Sequence, residues 1–372
     1  MKSKNLTYIT YQSFPAQTAN SLQTISNIRH LKKIGINVKL FFPLREVSSN
    51  SSINELQDFY NFQESFDVTG IEHKYPHGKF KYFKKLWFHI SHFLWSQKYI
   101  KLLFKNNKNE QFFTRSEWIA YFLSKYDLEV IFEVHQPSFV RDLIIKKIKK
   151  RKNVKFIFLN NLLKDYYFPV SNYKVLPNAV EIPKNFSMVN EKKKNQIIFV
   201  GNISRFNKSR GLEEIIGWFM NKDLEKNFSL EIIGGTEKEV TNLRSYISKN
   251  KLSKTINVTA WLGRSELHHK LSVASFGLLL NTSKNKHSFY YTSPLKYFEY
   301  LKYGLSVVAI DFPSHRNLPF NQYINFFKEG DESSFVSAFF NNVENKKLNN
   351  KELHEISLQK RAEEILNLIN QN

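Results

Sequence analysis

The feature that most constrains this chain is an alternation of short β-prone runs with helix-period segments, which occurs on each side of a polar, lysine-rich stretch. Leu6 to Tyr11 is β-prone, and a loop containing Pro15 leads into a helical pattern with Ile25, Ile28 and Leu31 on one face. That pattern stops near Lys33 and Gly35, before a second run from Asn37 to Phe42. Strand, helix and strand within about forty residues make a βαβ unit. The alternation returns at Phe112–Thr114, Trp118–Lys125 and Glu129–Glu133, then in a helix ending in the basic cluster Lys146 to Lys152, then in a strand from Lys155 to Leu159. A parallel sheet wrapped by helices is the expected result.

Between Pro177 and Pro183 the periodicity fails, and the stretch on to Asn195 is polar and rich in lysine, as a linker should be. A second series follows, with strands predicted at Gln196–Val200, Ser229–Ile233, Thr255–Val258, Gly277–Leu280 and Ser306–Ile310. Helices are expected from about Arg210, Glu237, Ser265 and Pro294, and the tail from Glu352 to Asn370 reads as one more. The chain is therefore divided into a Rossmann-like domain at 1–183, a second at 184–354 and a C-terminal helix at 355–372. Open α/β sheets bind ligands at the carboxyl ends of their strands, so a site is expected in a cleft between the two domains.

Length and composition agree with two α/β cores: 372 residues, 42% apolar, with 34 Phe. The absence of cysteine excludes disulfides, thiolate metal sites and a cysteine nucleophile. A formal charge of +22 favours polyanionic company, whether nucleic acid, anionic lipid or a phosphorylated substrate. No apolar stretch is long enough for a signal peptide or a membrane span, so a cytoplasmic protein is expected, with any membrane contact peripheral and at the inner face.

The most specific stretch is Thr292-Ser293-Pro294-Leu295-Lys296-Tyr297-Phe298-Glu299-Tyr300, followed by Gly304 and the strand Ser306 to Ile310. It is a loop feeding a helix N-terminus, with Pro294 suited to the first turn, so backbone N–H groups and the helix dipole favour a bound anion. A second pattern is Phe199-Val200-Gly201-Asn202, then Lys208-Ser209-Arg210-Gly211-Leu212-Glu213. With Val130 to Pro137 and Asn172 to Pro183, these segments resemble the retaining family-4 glycosyltransferases of the GT-B fold. The resemblance is strongest from Gln196 to Leu318 and slight from about Asn50 to Asn107. It implies two Rossmann-like domains facing across a cleft, with the C-terminal helix packing back on the N-terminal domain.

The resemblance also assigns roles. Glu299 would accept hydrogen bonds from the ribose hydroxyls of a nucleotide, as an acceptor-only carboxylate can. Arg210 would stabilise the leaving diphosphate, with Gly201, Arg205, Lys208, Tyr291, Thr292, Ser293, Pro294 and Leu295 completing the donor site. The family carries a glutamate eight residues before Glu299, where this chain has Tyr291, and a basic residue after the strand glycine, where it has Asn202. His135, in Glu133-Val134-His135-Gln136-Pro137, would stand beside the reacting sugar. Arg115 is expected either to hold phosphate or to pair with Glu117. Ser13, Thr18 and Asn20 are candidates for the acceptor, although Asn20 equally suits a helix N-cap, and Asn178 is expected to be structural. There is no Asp-x-Asp pattern, and neither metal nor cofactor is expected beyond the nucleotide sugar itself.

Residues 79–108 carry eight lysines and no acid, with Phe83, Trp87, Ile90, Phe93 and Leu94 at helical spacing. Such a segment can lay an apolar face on an anionic membrane or simply pack on the first domain. Nucleic acid is not an expected partner, because no zinc, RNP or helix-turn-helix pattern accompanies the charge. The remaining alternatives are a non-catalytic sugar-nucleotide binder and another GT-B activity.

Overall fold

The computed structural model describes residues 4–76, 82–183, 186, 192–205, 208–340 and 347–371, the side chains at 205, 208 and 209 excepted. It comprises two compact units, residues 1–176 with 358–372, and residues 177–357.

The first unit begins with β1 (Asn5–Ile9), α1 (Ala19–Lys33), β2 (Asn37–Leu44), α2 (Ile53–Tyr60), β3 (Asp67–Glu72) and α3 (Lys84–Phe104). It continues through β4 (Gln111–Thr114), α4 (Glu117–Lys125), β5 (Glu129–Val134), α5 (Phe139–Ile148), β6 (Val154–Phe158), α6 (Asn161–Tyr167) and β7 (Tyr173–Val175). The seven strands form one parallel sheet in the order β3-β2-β1-β4-β5-β6-β7. Its inner strands are buried and mostly apolar, interrupted by Glu133 in β5 and Lys155 in β6, because helices cover both faces.

The second unit holds β8 (Gln196–Val200), the antiparallel pair β9 (Ser204–Arg205) and β10 (Lys208–Ser209), then α7 (Leu212–Trp218), α8 (Lys222–Asn227), β11 (Ser229–Ile233) and α9 (Glu237–Lys249). After these come β12 (Ile256–Thr259), α10 (Arg264–Val273), β13 (Phe276–Leu279), α11 (Leu295–Lys302), β14 (Ser306–Ile310), α12 (Pro313–Arg316), β15 (Ile324–Phe327), α13 (Glu332–Phe340) and α14 (Asn350–Glu355). Its six-stranded parallel sheet runs β12-β11-β8-β13-β14-β15. Both sheets therefore have the doubly wound order, reversing direction between β1 and β4 and between β8 and β13.

The chain ends with α15 (Leu358–Asn370), which returns to the first unit, where Ala362, Ile365, Leu368 and Ile369 join the core formed by Leu6, Tyr8, Ile25, Ile28 and Leu40.

The structure differs from the sequence reading in the tail, at the unit boundaries and at the cap of α1. The tail is not one helix: Asn349 and Glu352 form a capping box that opens α14 early. The chain then leaves the helix where Ile356 O accepts Val180 N at 3.0 Å and Ser357 bridges Val180. The same bonds hold residues 177–183 within the second unit, so the compact units meet at 176/177 and 357/358, where the sequence suggested 183/184 and 354/355. Asn20 is not a cap either. Thr18 occupies that position, its hydroxyl accepting Ser21 N at 3.1 Å, and Asn20 lies in the first turn of α1.

Candidate functional site

In the second unit the reversal point lies between β8 and β13, where connections leave in opposite directions and open a crevice. Gly201 follows directly on β8 there and Asn281 lies just past β13. The strand ends pack so closely that a Cβ on Gly234, whose φ is +123°, would stand 2.3 Å from Gly201 O. Only glycine fits that backbone.

Arg210 folds over the end of β8. Its Nη1 donates to Asn202 O at 3.3 Å, and its guanidinium lies 5.7 Å from the Phe199 ring centroid. A Cβ on Gly201 would come within 3.0 Å of that same Nη1, so the glycine makes room for the cation. Beside it, Arg210, Gly211, Glu214, Trp218, Asn281 and Phe327 line a cavity of about 20 Å³, enough for a water but not for a nucleotide. Arg205 and Lys208 sit on the β9–β10 pair after β8, and their side chains lie outside the described residues.

The predicted anion seat is built from three pieces of backbone. A single π-helical turn, His287–Tyr291, ends in the half-buried Tyr291. Thr292 and Ser293 follow, both buried, and α11 starts after Pro294 with no side chain capping it. Its first amides, at Leu295 and beyond, are thus the uncapped donors of a helix N-terminus. Asn178 fixes this loop. Its backbone N–H donates to Ser293 Oγ at 3.1 Å and its Nδ2 to Ser293 O at 2.5 Å. The Ser293 hydroxyl oxygen is therefore engaged in holding the loop. Glu299 stands half-buried one turn into α11 and accepts Lys296 Nζ at 2.7 Å. Tyr300 locks the helix to the sheet, its hydroxyl accepting Val200 N at 3.1 Å and donating to Leu278 O at 3.3 Å. Gly277 is needed for that docking, because a Cβ there would lie 2.4 Å from the Tyr300 ring.

In the first unit the residues after β1, β4 and β5 gather at the other reversal point. Tyr11 N donates to Ser116 Oγ at 3.1 Å, joining the first two loops. Arg115 does not pair with Glu117, which is bound by Arg141 Nη2 at 2.9 Å. Arg115 turns instead to His135, Nη2 to Nδ1 at 2.8 Å, with Nη1 reaching Asn20 O at 3.4 Å. Its Nε is 3.6 Å from Glu133 Oε1, and that carboxylate accepts His135 Nε2. Burial first, and then the Arg115 charge, push the His135 imidazole down to about 3. The ring is neutral at ordinary pH with both nitrogens engaged, so it offers its edge and not a proton. Glu133 is held well below the usual carboxylate range. Its burial opposes ionisation, but Arg361 and His135 outweigh it.

Of the three acceptor candidates, Ser13 and Thr18 have local tasks. Ser13 Oγ accepts Arg45 Nε at 2.8 Å and Thr18 caps α1, while Asn20 is exposed. Sequence reasoning missed Arg45, which stacks 4.9 Å over Tyr11, and Arg361, which reaches Glu133 from the far end of the chain. Nothing local marks either arginine.

In α3 the buried face is Ser91, His92, Trp95, Ser96, Tyr99 and Ile100. Phe93, one of the five apolar residues at helical spacing, packs on Trp118 at 4.8 Å and Phe122 at 5.4 Å. Phe83, Leu86 and Leu94 remain exposed, as do Phe139 and Leu143 on α5. Residues 79–81 of the basic segment lie outside the described residues. No helix among the described residues is long and apolar enough to cross a membrane, and among them no cluster of His, Asp and Glu suits a metal ion.

No protein-family model matches the chain, and no curated protein sequence does. Solved structures do. Sucrose-phosphate synthase from Thermosynechococcus elongatus superposes with a TM-score of 0.70 at 11% identity over 99% of this chain and 98% of that one. A glycosyltransferase from Rickettsia africae gives 0.67 at 13% identity, covering all of both chains. Anabaena HepE, solved in complex with UDP, gives 0.66 at 9% identity over 99% of this chain and 100% of its own. At such identities the likeness defines architecture, and the architecture is GT-B: two doubly wound α/β units with a C-terminal helix docked on the first.

Proposed function

We propose that this chain is a glycosyltransferase that moves a sugar from a nucleotide diphosphate sugar, UDP-sugars being the first donors to try, to a glycan or lipid-linked acceptor. The reaction retains anomeric configuration and serves the assembly of a cell-surface polysaccharide or lipopolysaccharide. The observation that carries the reading is the seat at 291–299: an uncapped helix N-terminus, a loop clamped by Asn178, and Glu299 one turn on, all in the unit where Arg210 covers the end of β8. Thr292, Ser293 and Leu295 supply backbone toward a diphosphate, and Glu299 takes the ribose hydroxyls. Arg210, with Arg205 and Lys208 on the neighbouring hairpin, offsets the charge that grows on the leaving group.

The anomeric carbon loses its bond to the diphosphate oxygen and gains one to the acceptor oxygen on the same face. The acceptor proton passes to the departing phosphate, so no protein nucleophile is used. His135, neutral and fixed, borders the reacting sugar as a surface. Resident metal is not required, because cations and amides do the electrostatic work.

The second reading is a sugar-nucleotide binder without turnover, favoured by Tyr291, which stands where the related transferases carry a glutamate. Incubation with UDP-, GDP- and dTDP-sugars, with free nucleotide diphosphate as readout and chelator in parallel, separates the two. Release or transfer abolished by Arg210→Ala supports the transferase. Saturable binding with no turnover, lipid acceptors included, supports the binder, and no binding of any donor removes the seat argument.

We infer that the acceptor is met at an anionic membrane surface, a reading supported by the exposed apolar and basic residues at and around α3. Tyr82 and Phe83 just before α3, and Leu86 and Leu94 on it, are exposed, the helix also carries Lys84, Lys85, Lys98 and Lys101, and its buried residues include His92, Trp95 and Tyr99.

A further inference from the structure

Arg361 lies on α15 and is 2% exposed, yet it faces the strand that bears His135. Its Nη2 pairs with Glu133 Oε2, and its Nη1 donates to Leu176 O at 3.0 Å. Glu133, 1% exposed, offers its other oxygen to His135 Nε2. A carboxylate can only accept and a guanidinium can only donate, so the two neighbours of the ring dictate its protons: Nε2 carries hydrogen and Nδ1 is bare. The charged and titratable groups around this cluster are Tyr8 from β1, Arg115 after β4, Arg141 from α5, Glu133 and Arg361. With a neutral ring, Arg115, Glu133 and Arg361 sum to one positive charge, and a second would have to be buried if the ring took a proton.

Docking of α15 does not need this ion pair. Ala362, Ile365, Leu368 and Ile369 already anchor the helix in the core, and Lys155 Nζ binds Leu368 O at 3.1 Å. Burying a guanidinium and a carboxylate costs several kcal/mol before their attraction is counted, and an apolar pair would pack as well or better. What an apolar pair would lose is the state of the ring.

We propose that Arg361 is a positioning residue: through Glu133 it fixes the orientation and the Nε2–H tautomer of His135 from the opposite end of the chain. Its bearing on turnover rests on the reading of His135 as a border of the reacting sugar. The ring state itself does not.

The test combines ring 15N and 13C resonances of His135 across pH with steady-state kinetics, on wild type, Arg361→Met, Arg361→Lys and the packing control Leu368→Ala. In the wild type the ring holds the Nε2–H form well below pH 5. Arg361→Met removes a charge that opposes ring protonation and the anchor of the Glu133 carboxylate, so the midpoint rises and the tautomers mix. Arg361→Lys restores much of the wild-type behaviour, and Leu368→Ala lowers thermal stability with the ring unchanged. With a donor identified, kcat of Arg361→Met falls about 10- to 100-fold with the KM for donor little altered. A ring unaltered by Arg361→Met, or altered equally by Leu368→Ala, overturns the proposal. Wild-type protein with the expected ring state but no turnover on any donor refutes the transferase reading instead.

Discussion

Glu299 offers the sharpest quantitative test of the donor site. Its carboxylate is about a quarter exposed and already accepts Lys296 Nζ at 2.7 Å, so ribose hydroxyls meet a charged acceptor whose position is fixed before they arrive. A hydrogen bond to a charged group contributes about 1.5–3 kcal/mol. Two effects push the value for Glu299→Ala toward the lower end: the group is partly solvated, and its removal frees Lys296 to approach the diphosphate. About 1.5 kcal/mol is a roughly tenfold rise in Kd for UDP. The discriminating ligand is 2′-deoxy-UDP, which lacks one of the hydroxyls. Titration calorimetry should show wild type preferring UDP over the deoxy analogue by about tenfold, and Glu299→Ala binding the two nearly alike. Glu299→Gln, which keeps an acceptor oxygen, should fall between. If the mutant retains the full preference for UDP, Glu299 does not face the ribose and the alignment of α11 with a nucleotide is refuted.

Further outcomes follow from other contacts. Gly277→Ala should destabilise the fold by about 1–3 kcal/mol, because the added methyl meets the Tyr300 ring at 2.4 Å; thermal melting is the readout. Asn178→Ala strips the side-chain donor from Ser293 O and should weaken UDP binding as well as stability, since the clamped loop is the seat. Glu64 accepts from Arg29 at 2.8 Å and Lys33 at 3.0 Å and is drawn down to about 2. Its folded pKa is depressed, so its stabilisation is complete above the unfolded value near 4.5 and disappears as pH falls toward 2. Denaturation of Glu64→Gln should therefore show a deficit of about 2 kcal/mol at pH 7 that closes on acidification. In vesicle sedimentation, Phe83→Ser with Leu86→Ser should release the protein from vesicles containing phosphatidylglycerol, with neutral vesicles as the control; unchanged binding would remove α3 from the contact.

The parts of this molecule that were readable from sequence are those whose causes are local. The inner strands are largely apolar, as in Val130-Ile131-Phe132 of β5 and Ile197-Ile198-Phe199-Val200 of β8, because both faces are covered, and that pattern survives without knowledge of partners. The helix start just after Pro294 is likewise written within a few residues, whereas the cap of α1, suggested at Asn20 and found at Thr18, needed the backbone. What escaped depends on neighbours distant in the chain. Arg115 has Glu117 two positions away and takes His135 instead, because Glu117 is claimed by Arg141 from the next helix. Which of the apolar residues of α3 pack on the first unit is also left open by the sequence, and Phe93 does so because Trp118 offers it a ring. Arg361 is the extreme case: in sequence it is one basic residue in an amphipathic terminal helix, where the ordinary expectation is a solvated cation. Only the return of α15 to the first sheet, 228 positions from its partner, makes it the counter-charge of Glu133. Composition, spacing and resemblance carry no information about such a pair. For this reason the loop and helix start at 292–295 were legible in the sequence, while the contacts that surround His135 were not.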